Sequence, residues 1–251
     1  MINLNKTPIQ EILNIKICDL DLKLSSSYIY PFINQALQEL KHHNLFIKPN
    51  FYISDGWFCL DKTADIEIPF YLLHPKLIKI DQKKTGFTEG IGKKCLLFLR
   101  HEIGHAIDNV YRLRNKKDNE RIKLFGKASL PYKVYYQYHP CRKDFVANID
   151  DYYAQSHPTE DFAETFAIWL NPRSNWKRFS KNKLILKKLY YIDNLMKKLA
   201  NKKSIIQTKY KTDSILSIKY TIDKYYNQKL SNIKRFNNFK SKHKIKYLDF
   251  R

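Results

Sequence analysis

Five residues near the middle of the chain, His101-Glu102-Ile103-Gly104-His105, limit what it can be more than any other stretch. They lie in an apolar run (Cys95, Leu96, Phe98, Leu99, Ile103, Ala106, Val110) whose spacing predicts a long helix ending about Arg114. Residues i and i+4 of a helix stand one above the other, so His101 and His105 present two imidazoles to one point. Glu102 is one residue round from the first imidazole, within reach of a water held there. H-E-x-x-H on a helix is a zinc pattern. Five residues also recur by accident, and two surface histidines beside an acid read the same way. Gly104 costs a helix about 1 kcal/mol relative to alanine. Its bare face would let a second backbone come close.

A catalytic zinc needs a third protein ligand and leaves a fourth position to water. The histidines that hold it usually give their other ring N–H to a carboxylate. Ser156-His157-Pro158 marks a helix start, with proline in the first turn. Beyond it Phe162, Phe166, Trp169 and Leu170 form an apolar side, while Glu160 and Glu164 stack at i, i+4. Like charges at that spacing repel, and a shared cation, or an imidazole held by one of them, removes the penalty. Glu160 as third ligand and Glu164 as the carboxylate behind an imidazole meet both needs. Asp161 points about 100° away on a helix and is the poorer ligand. His157 is a second candidate for third ligand, with a simpler explanation as a helix-start residue. Asp108, one turn past His105, reads as an outer-shell acid. Asp108 and Tyr111 also stand where a metzincin would carry glycine and histidine, which excludes that subclass.

Together, Leu99-Arg100-His101-Glu102-Ile103-Gly104-His105 and the stretch Ala154-Gln155-Ser156-His157-Pro158-Thr159-Glu160-Asp161-Phe162-Ala163-Glu164-Thr165-Phe166-Ala167 resemble a bacterial family of zinc-binding metallopeptidases. That family carries H-E-x-G-H followed by a stretch close to Y-A-x-x-H-P-W-E-D-W-A-E-T-F-A. The two stretches are similar, more distantly, to the catalytic domain of anthrax lethal factor. The resemblance implies one zinc ion per chain on His101, His105 and Glu160, a gluzincin-type site, and a catalytic role for Tyr153. It implies a zinc-dependent endopeptidase acting on peptide or protein substrates. A zinc-activated water would be deprotonated by Glu102 as general base, and Tyr153 would donate its O–H to the oxyanion or the leaving nitrogen. A metal hydrolase acting on a non-peptide amide would carry the same residues. Thr159 and Phe162 replace tryptophans usual in the family and change the packing that faces substrate. The resemblance covers roughly residues 88–172.

At 251 residues with 43% hydrophobic content the chain can bury a full core. Cys18, Cys59, Cys95 and Cys141 are far apart and form no C-x-x-C pair, so they read as reduced thiols. No transmembrane segment and no apolar leader stand out, which predicts a cytoplasmic protein, with export by a route lacking a cleaved signal as the alternative. A helix is expected through Phe32, Ile33, Ala36, Leu37 and Leu40, capped by Ser25-Ser26-Ser27. Four β-rich runs follow, Phe51–Ile53, Trp57–Leu60, Ile66–Leu73 and Leu77–Ile80. They predict a small antiparallel sheet, with Pro69 putting the third run at an edge. Residues 115–138 read as an irregular excursion.

The charge divides the chain. Residues 1–172 carry 23 Lys+Arg against 20 Asp+Glu, and residues 173–251 carry 23 against 4, out of a net +22. Two or three amphipathic helices are expected in the second part, on Ile185, Leu189, Ile192, Met196 and Leu199, and again from Ile215 to Phe236. The expected architecture is α+β: a zincin-like domain over 1–172 with an H-E-x-x-H helix, then an all-helical, lysine-rich extension over 173–251. The alternative to an enzyme is a non-catalytic or weakly catalytic zincin scaffold. It would bind nucleic acid, an anionic membrane or an acidic partner through the extension.

Overall fold

A computed structural model describes residues 2–115, 117–149, 152–206, 215–242 and 248–250. The architecture is mixed α+β. After a short α1 (Ile9–Leu13), α2 (Tyr30–His42) carries the expected apolar stripe, with Ile33, Ala36 and Leu40 buried. Ser27 does not cap it: its hydroxyl donates to the Leu24 carbonyl at 2.6 Å, closing the turn before the helix.

The sheet is small, as expected, but mixed rather than antiparallel. Its order is β1 (Asn50–Ser54), β3 (Asp65–Pro69), β2 (Phe58–Cys59). β2 returns to β3 antiparallel through a tight turn at Asp61-Lys62, where Lys62 is left-handed (φ 60°). β1 lies on the other side of β3 and runs parallel to it, with Ile53 opposite Ile68. The third run is thus the central strand. Pro69 is tolerated there because it is the strand's last residue, opposite Ser54. The fourth expected strand is a helix, α3 (Pro75–Thr85). His74 accepts the Lys76 N–H through Nδ1, Pro75 opens the helix, and left-handed Gly86 (φ 84°) closes it. These stop signals outweigh the β-branched residues between them.

The long helix α4 (Cys95–Val110) is buried almost all round. Arg100 reaches α2 in a two-pronged pair with Glu39 (2.7 Å each), and Asn109 donates to the Leu60 carbonyl beside β2 at 3.1 Å. α6 (Pro158–Leu170) lies along its third side. Between them the chain makes α5 (Asn119–Phe125) and β4 (Tyr135–Gln137), so the excursion is partly regular.

The basic part of the chain packs onto this body. α7 (Lys183–Leu199) buries the predicted Ile185, Leu189, Ile192, Met196 and Leu199, and lies against α5 and α6. α8 (Ile222–Lys242) returns to the start of the chain: Ile17 N–H donates to the Tyr220 carbonyl and Ile222 N–H to the Ile15 carbonyl, both at 3.0 Å. The extension is not all-helical, because β5 (Leu248–Phe250) pairs antiparallel with β4. Of its residues, 207–214, 243–247 and 251 lie outside those described. Among the described residues no helix is long and apolar enough to cross a membrane.

Candidate metal centre

His101 and His105 project from α4 onto α6, and the two helices meet at a glycine. A Cβ on Gly104 would stand 3.1 Å from the Ala163 Cα and 3.2 Å from its carbonyl oxygen. Only a residue without a side chain lets the backbones come this close, and the approach brings Glu160 over the two imidazoles. His101 Nε2, His105 Nε2 and Glu160 Oε2 form a triangle with every side 3.0 Å. The cluster is nearly closed to solvent.

These atoms fit a zinc ion. Ligands about 2.0–2.1 Å from a tetrahedral centre lie roughly 3.3 Å from one another, and the donor set of two imidazoles and a carboxylate suits zinc. The tautomer fits as well. His101 Nδ1 is 2.7 Å from Glu164 Oε1, and an ionised carboxylate only accepts, so Nδ1 keeps its proton and Nε2 is the nitrogen that would give its lone pair to a metal in exchange for a proton. Glu164 is itself held: the Asn148 side chain donates to Oε1 at 3.0 Å and the Ile149 N–H to Oε2 at 2.9 Å. Burial alone would lower the His101 pKa, but the hydrogen bonds to Glu160 and Glu164 raise it well above the imidazole range. Burial likewise opposes ionisation of Glu160, and the charges and hydrogen bonds of His105 and His101 hold it well below the carboxylate range. The pocket stabilises positive charge against carboxylates, whether that charge is a proton or a metal.

Glu102 is buried beside the triangle. Burial pushes its carboxyl up, the two imidazoles pull it back, and Glu160 and Glu67 push it further. The ring of Tyr153, in the turn just before α6, is 5.5 Å from the His101 ring, centroid to centroid. Tyr152 before it is left-handed (φ 56°), a conformation rare for a bulky residue, and turns the chain inward.

Asp108 goes elsewhere. Its hydrogen bonds run to Arg121 on α5 (2.7 and 2.8 Å) and Arg114 (3.1 Å), so it braces α4 rather than an imidazole. His157 caps α6, its Nδ1 accepting from the Thr159 N–H at 3.1 Å, while Nε2 donates to the Leu130 carbonyl at 2.9 Å. Asp161 faces away from the triangle and meets Lys188 of α7 at 2.6 Å.

Two neighbours of the site escaped the sequence reading. Asn148 sits in a loop without periodicity. Tyr132, whose hydroxyl donates to Glu160 Oε1 at 2.6 Å, is one of 18 tyrosines in the chain. The only signal at Tyr132 was Pro131 before it, which marks a turn and nothing more.

A family model described as "Putative zinc-binding metallo-peptidase" matches residues 81–234, more than half of the chain. No curated protein and no solved structure matches.

Proposed function

The chain belongs to the putative zinc-binding metallo-peptidase family, and on that premise we propose that it is a zinc-dependent endopeptidase of zincin-like architecture and gluzincin type. His101, His105 and Glu160 would hold one zinc ion per chain. The reading rests on one observation, the convergence of two imidazole Nε2 atoms and a carboxylate oxygen at 3.0 Å from one another. Glu164 supports it by holding the Nδ1 proton of His101, so that Nε2 is the nitrogen left to ligate a metal.

Bound zinc would supply Lewis acidity, polarising the scissile carbonyl and acidifying water towards neutrality. Glu102 takes the proton of the attacking water on its carboxylate and passes it to the leaving nitrogen. Burial raises its affinity for that proton, which suits a group that must hold it briefly. Tyr153 donates its phenolic O–H to the oxygen that gains charge. Residues 1–172 hold the hydrolytic groups, and the lysine-rich extension over 173–251 braces them through α7.

The test is metal content of the purified chain by mass spectrometry, with cleavage of a mixed peptide library. About one zinc per chain is expected, lost in His105→Ala and Glu160→Gln. Glu102→Gln should keep the metal and lose roughly 10²–10⁴-fold in cleavage rate. A folded wild type that takes up no zinc when supplied with it would overturn the reading.

A further inference from the structure

The Glu160 carboxylate is divided between two directions. Oε2 faces the imidazoles, and Oε1 accepts the Tyr132 hydroxyl at 2.6 Å. Tyr132 stands on the connection between α5 and β4, outside every regular element, and as a residue is half exposed (52%). His157 ties that connection to α6. The His157 ring lies against the Tyr132 ring (centroids 3.8 Å, planes 16° apart), and its Nε2 donates to the Leu130 carbonyl two residues earlier. The same His157 caps the helix that carries Glu160. The cap therefore sets both the position of the carboxylate and the position of the phenol that meets it.

We propose that Tyr132 is a positioning residue that limits Glu160 to a single oxygen for the metal, on the metallopeptidase reading above. A carboxylate can give a metal one oxygen or two, having about four lone-pair sites. A catalytic zinc works with three protein ligands and an open place for water, and a fifth ligand is useful only when substrate brings it. An O–H to carboxylate bond near 2.6 Å is of the short, strong kind. Tyr132 thus holds Oε1 away from the metal and keeps the remaining place clear. Without the hydroxyl, Oε1 swings in, Glu160 chelates, and the place for substrate is taken.

The experiment uses the full chain loaded with cobalt(II), whose visible absorption is strongest when four-coordinate and falls as a fifth ligand is added. Tyr132→Phe removes only the hydroxyl and keeps the ring on His157. Its visible absorption should weaken relative to wild type. His157→Ala, which frees the connection, should move the spectrum the same way. Circular dichroism checks that both variants are folded. A folded Tyr132→Phe with the wild-type spectrum overturns this assignment alone. A wild type that binds neither cobalt nor zinc overturns the metallopeptidase reading and this one with it.

Discussion

At the scale of single residues, the centre is a set of atoms whose hydrogen bonds are already assigned. Glu164 accepts four times, from His101, twice from Asn148, and from the Ile149 N–H. A carboxylate can do this and an amide cannot, because the NH₂ of glutamine would point at another donor. Glu164→Gln should therefore weaken zinc binding about 10–100-fold although it adds no bulk. Chelator competition would read this, and an unchanged affinity would show that the His101 tautomer is set elsewhere. The four residues His101, His105, Glu160 and Glu164 were legible in the sequence because helical spacing is geometry: i and i+4 share a face wherever the helix goes. Asp108 was misread because its partner Arg121 lies 13 residues on, in a short helix that no pattern announced. Tyr132 and Asn148 sit in loops, where neighbours in space carry no period in sequence.

At the scale of elements, the site depends on the separation of α4 and α6. Gly104→Ala would gain about 1 kcal/mol of helix propensity. Against that, its Cβ would press on the Ala163 backbone, which has no rotamer to yield, and overpacking costs about 1–3 kcal/mol. We expect a lower melting temperature and a further loss of zinc affinity as Glu160 is pushed off the imidazoles. A variant as stable as wild type with full affinity would refute the argument. The pairing of α4 with α5 through Asp108 gives a pH prediction. Burial alone would raise the Asp108 pKa, but the Arg121 hydrogen bonds and charge, with Arg114, bring it below the carboxylate range. Its contribution to stability is fully present above the ordinary value of about 3.9 and is lost as pH falls through the lowered folded value. Asp108→Asn should be less stable at neutral pH and show a shallower loss on acidification below pH 4, in urea melts along a pH series. The small sheet was misread because runs of Ile and Leu do not say whether a strand is central or whether a segment is a strand at all. Leu77–Ile80 is helical because its caps, His74 and Gly86, outweigh the β propensity of Ile78 and Ile80.

At the scale of the molecule, the charge boundary at residue 172 does not coincide with a gap in the packing. Lys188 of α7 is buried, bonded to Asp161 at 2.6 Å and to the Asp144 carbonyl at 2.8 Å, with the Phe145 ring 4.3 Å away. Burial pushes the Asp161 carboxyl up to about 7 even against the pull of that ammonium. Lys188→Met leaves the acid buried without its cation, and breaking such a pair costs about 3–5 kcal/mol. Replacing both, Lys188→Met with Asp161→Leu, should restore much of that, as denaturant midpoints would show. A Lys188→Met as stable as wild type would mean that α7 does not brace the helix carrying Glu160. The amphipathic spacing of α7 was legible, and its apolar residues are the buried ones. Its partner was not, because a lysine among many lysines does not declare itself as the buried one. The return of α8 to residues 15–17 bears on the order in which the chain folds. About two hundred residues of chain separate Ile15 and Ile17 from the strand-like segment at Tyr220–Ile222 that completes their hydrogen bonds. Closure over such a separation is slow. The clasp between these two segments should therefore close after α4 and α6 have met, since the contacts of those two helices span a far shorter stretch of chain.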